Sequence, residues 1–178
     1  MRLESKKIYL RPLGESDAPI MLESTLDTEI RYMTGTTSNF SLEQIKIHIK
    51  NINNDSSRYD FAICLKSSDE VIGELSIVDI DEENKKAGFR ISMVSIPITG
   101  KGYGTEAIKI VLGYVFDQLK LNRLQLEVFS HNLRGIRAYE KVGFVKEGVL
   151  RQSLYYNKAY SDEIIMAILK SDYEKSLL

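Results

Sequence analysis

Thr99-Gly100-Lys101-Gly102-Tyr103-Gly104-Thr105-Glu106-Ala107 sets a glycine-rich turn directly against the start of a helix. Glycines let a backbone curl and come close to an anion, while the free N–H groups and dipole of a helix start attract negative charge. The stretch therefore fits a phosphate, and it also fits a plain strand-to-helix turn. Gly102-Tyr103-Gly104-Thr105-Glu106-Ala107 further satisfies the dinucleotide pattern with alanine last. A Walker loop fails at once, because no glycine stands at the required spacing before a Gly-Lys-Ser or Gly-Lys-Thr.

What surrounds the turn decides the fold. Upstream, three strand-like runs (59–66, 71–79 and 86–94) follow one another across polar turns such as Ser67-Ser68-Asp69 and Asp81-Glu82-Glu83-Asn84. That pattern predicts an antiparallel meander. Downstream the period changes: Ala107, Ile108, Val111, Leu112, Val115, Phe116 and Leu119 mark one face of a long helix. Leu124 to Phe129 then alternates as a strand. Asn132 can cap a helix in which Leu133, Ile136, Tyr139 and Val142 recur every three residues before Gly143 ends it. Strands over 144–156 and 159–169 close the sheet.

Toward the front, Ile8-Tyr9-Leu10-Arg11-Pro12-Leu13 reads as a strand, and Ser16 or Asp17 caps a helix running to about residue 26. Ser41-Leu42-Glu43-Gln44 is a capping box for a second helix carrying Ile45, Ile49 and Ile52. The predicted fold is α/β (α+β mixed): one mixed, mostly antiparallel sheet of about six to seven strands with helices on both faces. A Rossmann domain wants repeated parallel βαβ units, whereas these glycines follow a meander and precede one crossover.

The 178 residues suit a single domain spanning 1–178. Lys plus Arg number 24 against 25 for Asp plus Glu, so the net charge of -1 offers no field for nucleic acid or an anionic membrane. Met1-Arg2-Leu3-Glu4-Ser5-Lys6-Lys7 lacks the apolar run of a secretory leader, and no stretch reaches the ~20 apolar residues of a membrane span. A cytoplasmic protein is expected. Cys64 sits in an apolar strand as an inert thiol, and His48 and His131 stand far apart without ligand spacing, so no metal is expected.

The second informative stretch is Asn132-Leu133-Arg134-Gly135-Ile136-Arg137-Ala138-Tyr139-Glu140-Lys141-Val142-Gly143-Phe144. On residues alone, Asn132 is an N-cap and Tyr139 a core aromatic. Yet an Asn opening a helix, a Tyr seven residues on and a closing Lys-x-Gly-Phe resemble the GNAT superfamily of N-acetyltransferases. The glycine-rich turn resembles that family's pyrophosphate loop, and the two motifs cover about residues 86–144. Glu147-Gly148-Val149-Leu150-Arg151 and Tyr160-Ser161-Asp162-Glu163 resemble the branch of ribosomal-protein N-terminal and spermidine acetyltransferases.

The resemblance implies transfer of acetyl from acetyl-CoA to a primary amine, either a protein N-terminus or a small molecule. It assigns pantetheine binding to the strand at Ser92, Met93 and Val94, and pyrophosphate binding to Gly100, Lys101, Gly102, Tyr103, Gly104 and Thr105. Asn132 would bond the pantetheine arm, and Tyr139 would act as general acid. Three positions depart from the family pattern: Thr99 for the usual Gln or Arg, Gly135 for Ala, and Gly88 where many members of the branch carry a glutamate. With that glutamate missing, Glu127 is the base expected here, acting through a water from the strand face it shares with Gln125 and Phe129. The alternatives are a degenerate acyl-CoA-binding domain of this family and a dinucleotide-binding oxidoreductase. The acceptor and the oligomeric state, a homodimer included, stay open.

Overall fold

The computed structural model describes residues 2–177 and forms an eight-stranded sheet in the order β1-β2-β3-β4-β5-β6-β8-β7. Its strands are β1 (Leu3–Glu4), β2 (Ile8–Pro12), β3 (Tyr59–Leu65), β4 (Val71–Asp81), β5 (Lys86–Met93), β6 (Arg123–Phe129), β7 (Val145–Tyr156) and β8 (Ala159–Leu169). Seven are the predicted ones. The eighth, β1, has two residues and exists only as a hairpin partner of β2, too short for any alternation to betray it. Every pairing is antiparallel except β5 with β6, where α4 (Tyr103–Gly113) makes the crossover. One parallel pair excludes the doubly wound sheet that a dinucleotide fold requires.

Two cores follow from the alternation of the strands. One face, with Leu10, Phe61, Leu75, Phe89, Leu124 and Leu126, buries α4 and α5 (Leu133–Lys141). The other, with Tyr9, Ala62 and Cys64, buries α1 (Ala18–Ser24) and α3 (Leu42–Ile52). The capping box of α3 is present: Gln44 N–H donates to Ser41 Oγ at 3.2 Å and Ser41 N–H to Gln44 Oε1 at 2.8 Å. Burial holds the Cys64 thiol protonated by raising its pKa, consistent with an inert core residue.

Three local expectations are corrected. Asp17 does not cap α1 with its side chain; it accepts from the Gly14 N–H and from both terminal nitrogens of Arg11. The long helix after Gly102 ends as α-helix at Gly113 and continues as a π turn over Tyr114–Gln118. That wider turn brings three consecutive residues, Tyr114, Val115 and Phe116, into the core. Leu133, the first member of the three-residue stripe, is 56% exposed, and α5 reaches the core only from Ile136 onward. Two helices not predicted from the sequence are also present, α2 (Thr28–Thr34) after α1 and α6 (Lys170–Ser176) after β8.

Candidate active site

Strands β5 and β6 are joined at only three rungs, Lys86↔Arg123, Ala87↔Leu124 and Gly88↔Gln125. Past Gly88 they separate, and the edge of Phe89 to Met93 that faces β6 has no strand partner among the described residues. The N–H of Val94 donates to Ile72 O at 3.0 Å, on the β4 side. Alternate residues of a strand aim their N–H groups to opposite sides, so those of Met93 and Ile91 point into the opening.

A cleft of about 350 Å³ occupies one side of this opening, between the loop before α4 and the start of α5. Ser92, Met93, Gly100, Gly102, Tyr103, Gly104, Thr105, Asn132 and Tyr139 all line it. Gly100 (φ 74°) and Gly102 (φ 87°) take left-handed conformations that only glycine adopts without strain, and the space before both is open. Gly104 has an ordinary helical backbone, and a Cβ there would meet only Met93 Sδ at 3.9 Å, so its smallness serves access rather than conformation. Gly102 caps α4 without a side chain, which leaves the first N–H groups of the helix available to an anion. Arg134, Arg137 and Lys141 line the same cleft. Arg134 Nη1 donates to Thr99 Oγ1 at 2.7 Å, so a guanidinium from α5 stands beside the residue where the family pattern would place Gln or Arg.

A second cavity, about 470 Å³, lies across the opening and is floored by one face of β3, β4 and β5. The register sets Ser76 between Asp60 and Arg90, and Glu74 between Ala62 and Ser92. Asp60 is fully engaged, accepting from Arg58 Nε and Nη2 at 2.7 Å each and from Ser76 Oγ at 2.6 Å. Glu74 is half-buried, and no donor among the described residues reaches its carboxylate; burial first and Asp60 second raise its pKa, against the opposing pull of Arg58. Helix α2 walls the cavity and is anchored by His131, which bonds through Nε2 to Tyr32 O (2.8 Å), through Nδ1 to Ser161 Oγ (2.9 Å), and stacks on the Tyr32 ring.

Ser92, Asn132 and Tyr139 line both spaces and mark where they meet. Tyr139 is only 8% exposed, and burial alone pushes its hydroxyl pKa up to about 12. Asn132 Oδ1 accepts from Gly135 N–H at 3.0 Å, which leaves its amide NH₂ to donate elsewhere. Glu127 lines the larger cavity from β6, exposed, with Oε1 accepting from Gln125 Nε2 at 2.8 Å. Two expected residues are not brought to the cleft: Lys101 is exposed on the loop, and Val94 packs against the α1/α3 core. Sequence reasoning passed over Arg134, Arg137 and Lys141, although their spacing of three and four puts them on adjoining positions of one helix.

A family model described as "Acetyltransferase (GNAT) domain" matches residues 7–145. The chain is 32% identical over 181 residues to a Bacillus subtilis (strain 168) protein named "Probable N-acetyltransferase YjcK", covering 97% of this chain and 99% of that one. It is 30% identical to "Uncharacterized N-acetyltransferase p20" of Bacillus licheniformis, over 96% and 97% of the two chains. Among solved structures it resembles a spermidine N-acetyltransferase from Vibrio cholerae, crystallised with CoA and spermine. That likeness has a TM-score of 0.86 and 25% identity, covering 94% of this chain and 98% of the other.

Proposed function

We propose, on the premise that this chain belongs to the acetyltransferase (GNAT) family, that it acetylates a primary amine held in the larger cavity with acetyl-CoA held in the smaller cleft. The observation that carries this reading is the meeting of the two spaces at Ser92, Asn132 and Tyr139. Acetyl-CoA is an anionic co-substrate with a thin pantetheine arm and a reactive thioester. The residues fit it: an open glycine loop, free N–H groups at the start of α4, and three cations on α5.

In this reading Gly100, Gly102, Gly104 and Thr105 hold the pyrophosphate through backbone N–H groups. The unpaired edge at Ile91 and Met93 binds the arm as an added strand would, with the Asn132 amide donating from the far wall. The neutral amine attacks the thioester carbonyl directly. A β5 N–H, aimed into the opening at Met93, stabilises the charge that grows on the carbonyl oxygen. Tyr139, protonated at any physiological pH, gives its proton to the departing sulfur.

No helix among the described residues is long and apolar enough to cross a membrane, and a cytoplasmic enzyme is the setting we propose. Thiol release from acetyl-CoA should be measured with spermidine, kanamycin, glucosamine and a serine-initiated tripeptide. In parallel, acetyl-CoA but not NAD should raise the melting temperature. Stabilisation by acetyl-CoA without thiol release in the presence of any of these amines would favour the degenerate, binding-only reading; stabilisation by NAD would remove both.

A further inference from the structure

We infer that Glu74, rather than Glu127, takes the proton from the acceptor's ammonium group. This rests on the amine-acetylation reading above and adds to it the identity of the base.

A base for this reaction must lie in the acceptor cavity, near its junction with the cleft, and be free to accept. Glu74 meets all three requirements. It sits on the cavity floor directly opposite Ser92, which lines both spaces. The N–H of Val94 bonds to Ile72, so the pairs along β4 and β5 in phase with it, Glu74 with Ser92 among them, are hydrogen-bonded pairs, with Cα atoms ~5.5 Å apart. The carboxylate therefore stands about one side chain away from the junction.

The competing carboxylates are committed or remote. Asp60 is held by three donors. Glu163 Oε2 accepts from Ser153 Oγ at 2.7 Å. Glu127 is exposed on the rim and shares an oxygen with Gln125. Gly88, where a glutamate is common in the branch, does not line the acceptor cavity, and a Cβ there would stand 2.9 Å from Val78 Cγ2. A larger residue there would have to displace the Val78 methyl, and the position lies outside the acceptor-cavity lining, so its missing carboxylate does not argue against turnover.

The charged groups around the same cavity are Arg58 just before β3, Asp60 on β3, Arg90 on β5, Arg31 on α2, His48 on α3, and Glu127 and Glu163 already described. Arg58 is neutralised by Asp60, and Arg31 is spent on the carbonyls of Thr25, Thr37 and Ser38. Glu74 is thus a carboxylate with its charge uncompensated by a donor in a half-buried site, a condition that favours both ion pairing with an ammonium and uptake of its proton.

The protons balance as follows. One ammonium N–H bond breaks toward Glu74, and the freed lone pair forms the C–N bond at the thioester carbonyl. The C–S bond breaks and sulfur takes the Tyr139 proton. The second nitrogen proton leaves as the amide forms and restores Tyr139 through water, while Glu74 releases its proton to solvent through the cavity mouth.

The test is thiol release by the unmutated protein, Glu74→Gln and Glu127→Gln, with whichever of spermidine, kanamycin, glucosamine or the serine-initiated tripeptide is acetylated. Each is measured at neutral pH and in alkali where the amine is neutral. An alkyl ammonium with a pKa near ~10 is protonated at neutral pH, so Glu74→Gln should lose on the order of 10²-fold there and recover most of it in alkali. Melting temperature and acetyl-CoA affinity should be unchanged. An equal loss at both pH values would make Glu74 a binding group only, and a loss confined to Glu127→Gln would move the role to β6; either overturns the assignment. If the unmutated protein acetylates none of the four, the acetylation reading fails first and takes this assignment with it.

Discussion

The side-chain carbonyl of Asn132 accepts the backbone N–H of Gly135 at 3.0 Å, and a Cβ added to Gly135 would stand 2.9 Å from the Nδ2 of that same asparagine. The glycine that departs from the family pattern thus leaves room for the cap in its observed rotamer. Alanine would add about 0.5–1 kcal/mol of helix preference, and displacing the cap would remove about 0.5–2 kcal/mol. We expect Gly135→Ala to change stability by no more than about 1.5 kcal/mol while weakening acetyl-CoA binding, since Asn132 must turn. Calorimetric titration at matched melting temperature checks this, and undiminished affinity would separate Asn132 from the cofactor.

Tyr139 offers a different signature. Its hydroxyl is held up to about 12 by burial, so it remains a donor throughout the range in which the protein can be assayed. Tyr139→Phe should keep acetyl-CoA affinity and reduce turnover by about 10²-fold or more. The Tyr139 hydroxyl should contribute no alkaline limb to the pH–rate profile below about 12. Unchanged turnover would return Tyr139 to the core as a packing residue.

Gly104 and Gly102 should part company under mutation. Gly104 lies in regular α4 with space around it, so Gly104→Val should fold and obstruct the close approach of a phosphate. Gly102 has φ of 87°, where any other residue is strained by about 1–3 kcal/mol. Comparing melting temperature and acetyl-CoA affinity for Gly104→Val and Gly102→Ala should show the first losing affinity alone and the second losing stability too. The reverse pattern would move the anion site off the start of α4.

Away from the site, Asp17 is 4% exposed and clamped by Arg11 and the Gly14 N–H. Burial raises its pKa, but the Arg11 guanidinium and the Gly14 N–H outweigh burial and hold the carboxylate below its ordinary range. The stabilisation is therefore complete above the unfolded-state pKa and is lost as pH falls through the depressed folded value. Asp17→Asn should cost about 1.5–3 kcal/mol near neutral pH, and its denaturation midpoint should converge on that of the unmutated protein in acid. A constant gap down to strongly acidic pH would show that Asp17 stays out of the acid transition.

The glycine turn, the strands from Tyr59 to Met93 and the Asn132 helix could be read directly, because each depends on local periodicity and caps. Helix α2 could not, since seven residues make no periodic stripe, although Asp27 caps it through Glu29 N–H and Ile30 N–H and Gly35 ends it at φ 67°. Glu74 was hidden for another reason. Alternation puts Glu74 and Ser76 on one face of β4, yet only the strand order reveals that this face, flanked on both sides, floors a cavity. Conversely, the exposed rim position of Glu127 could not be told from its alternation with Leu126 and Val128.

The three-rung seam between β5 and β6 also bears on solubility. A strand edge with free amides is ordinarily a place where foreign chains add and aggregation begins. Here that edge lies inside the sheet, beneath the glycine loop and α5 rather than at the periphery. A folded neighbour cannot bring a strand alongside it, whereas a slender extended ligand can enter. In the reading proposed above, the fold thereby keeps a hydrogen-bonding edge for the pantetheine arm while covering it against strand addition.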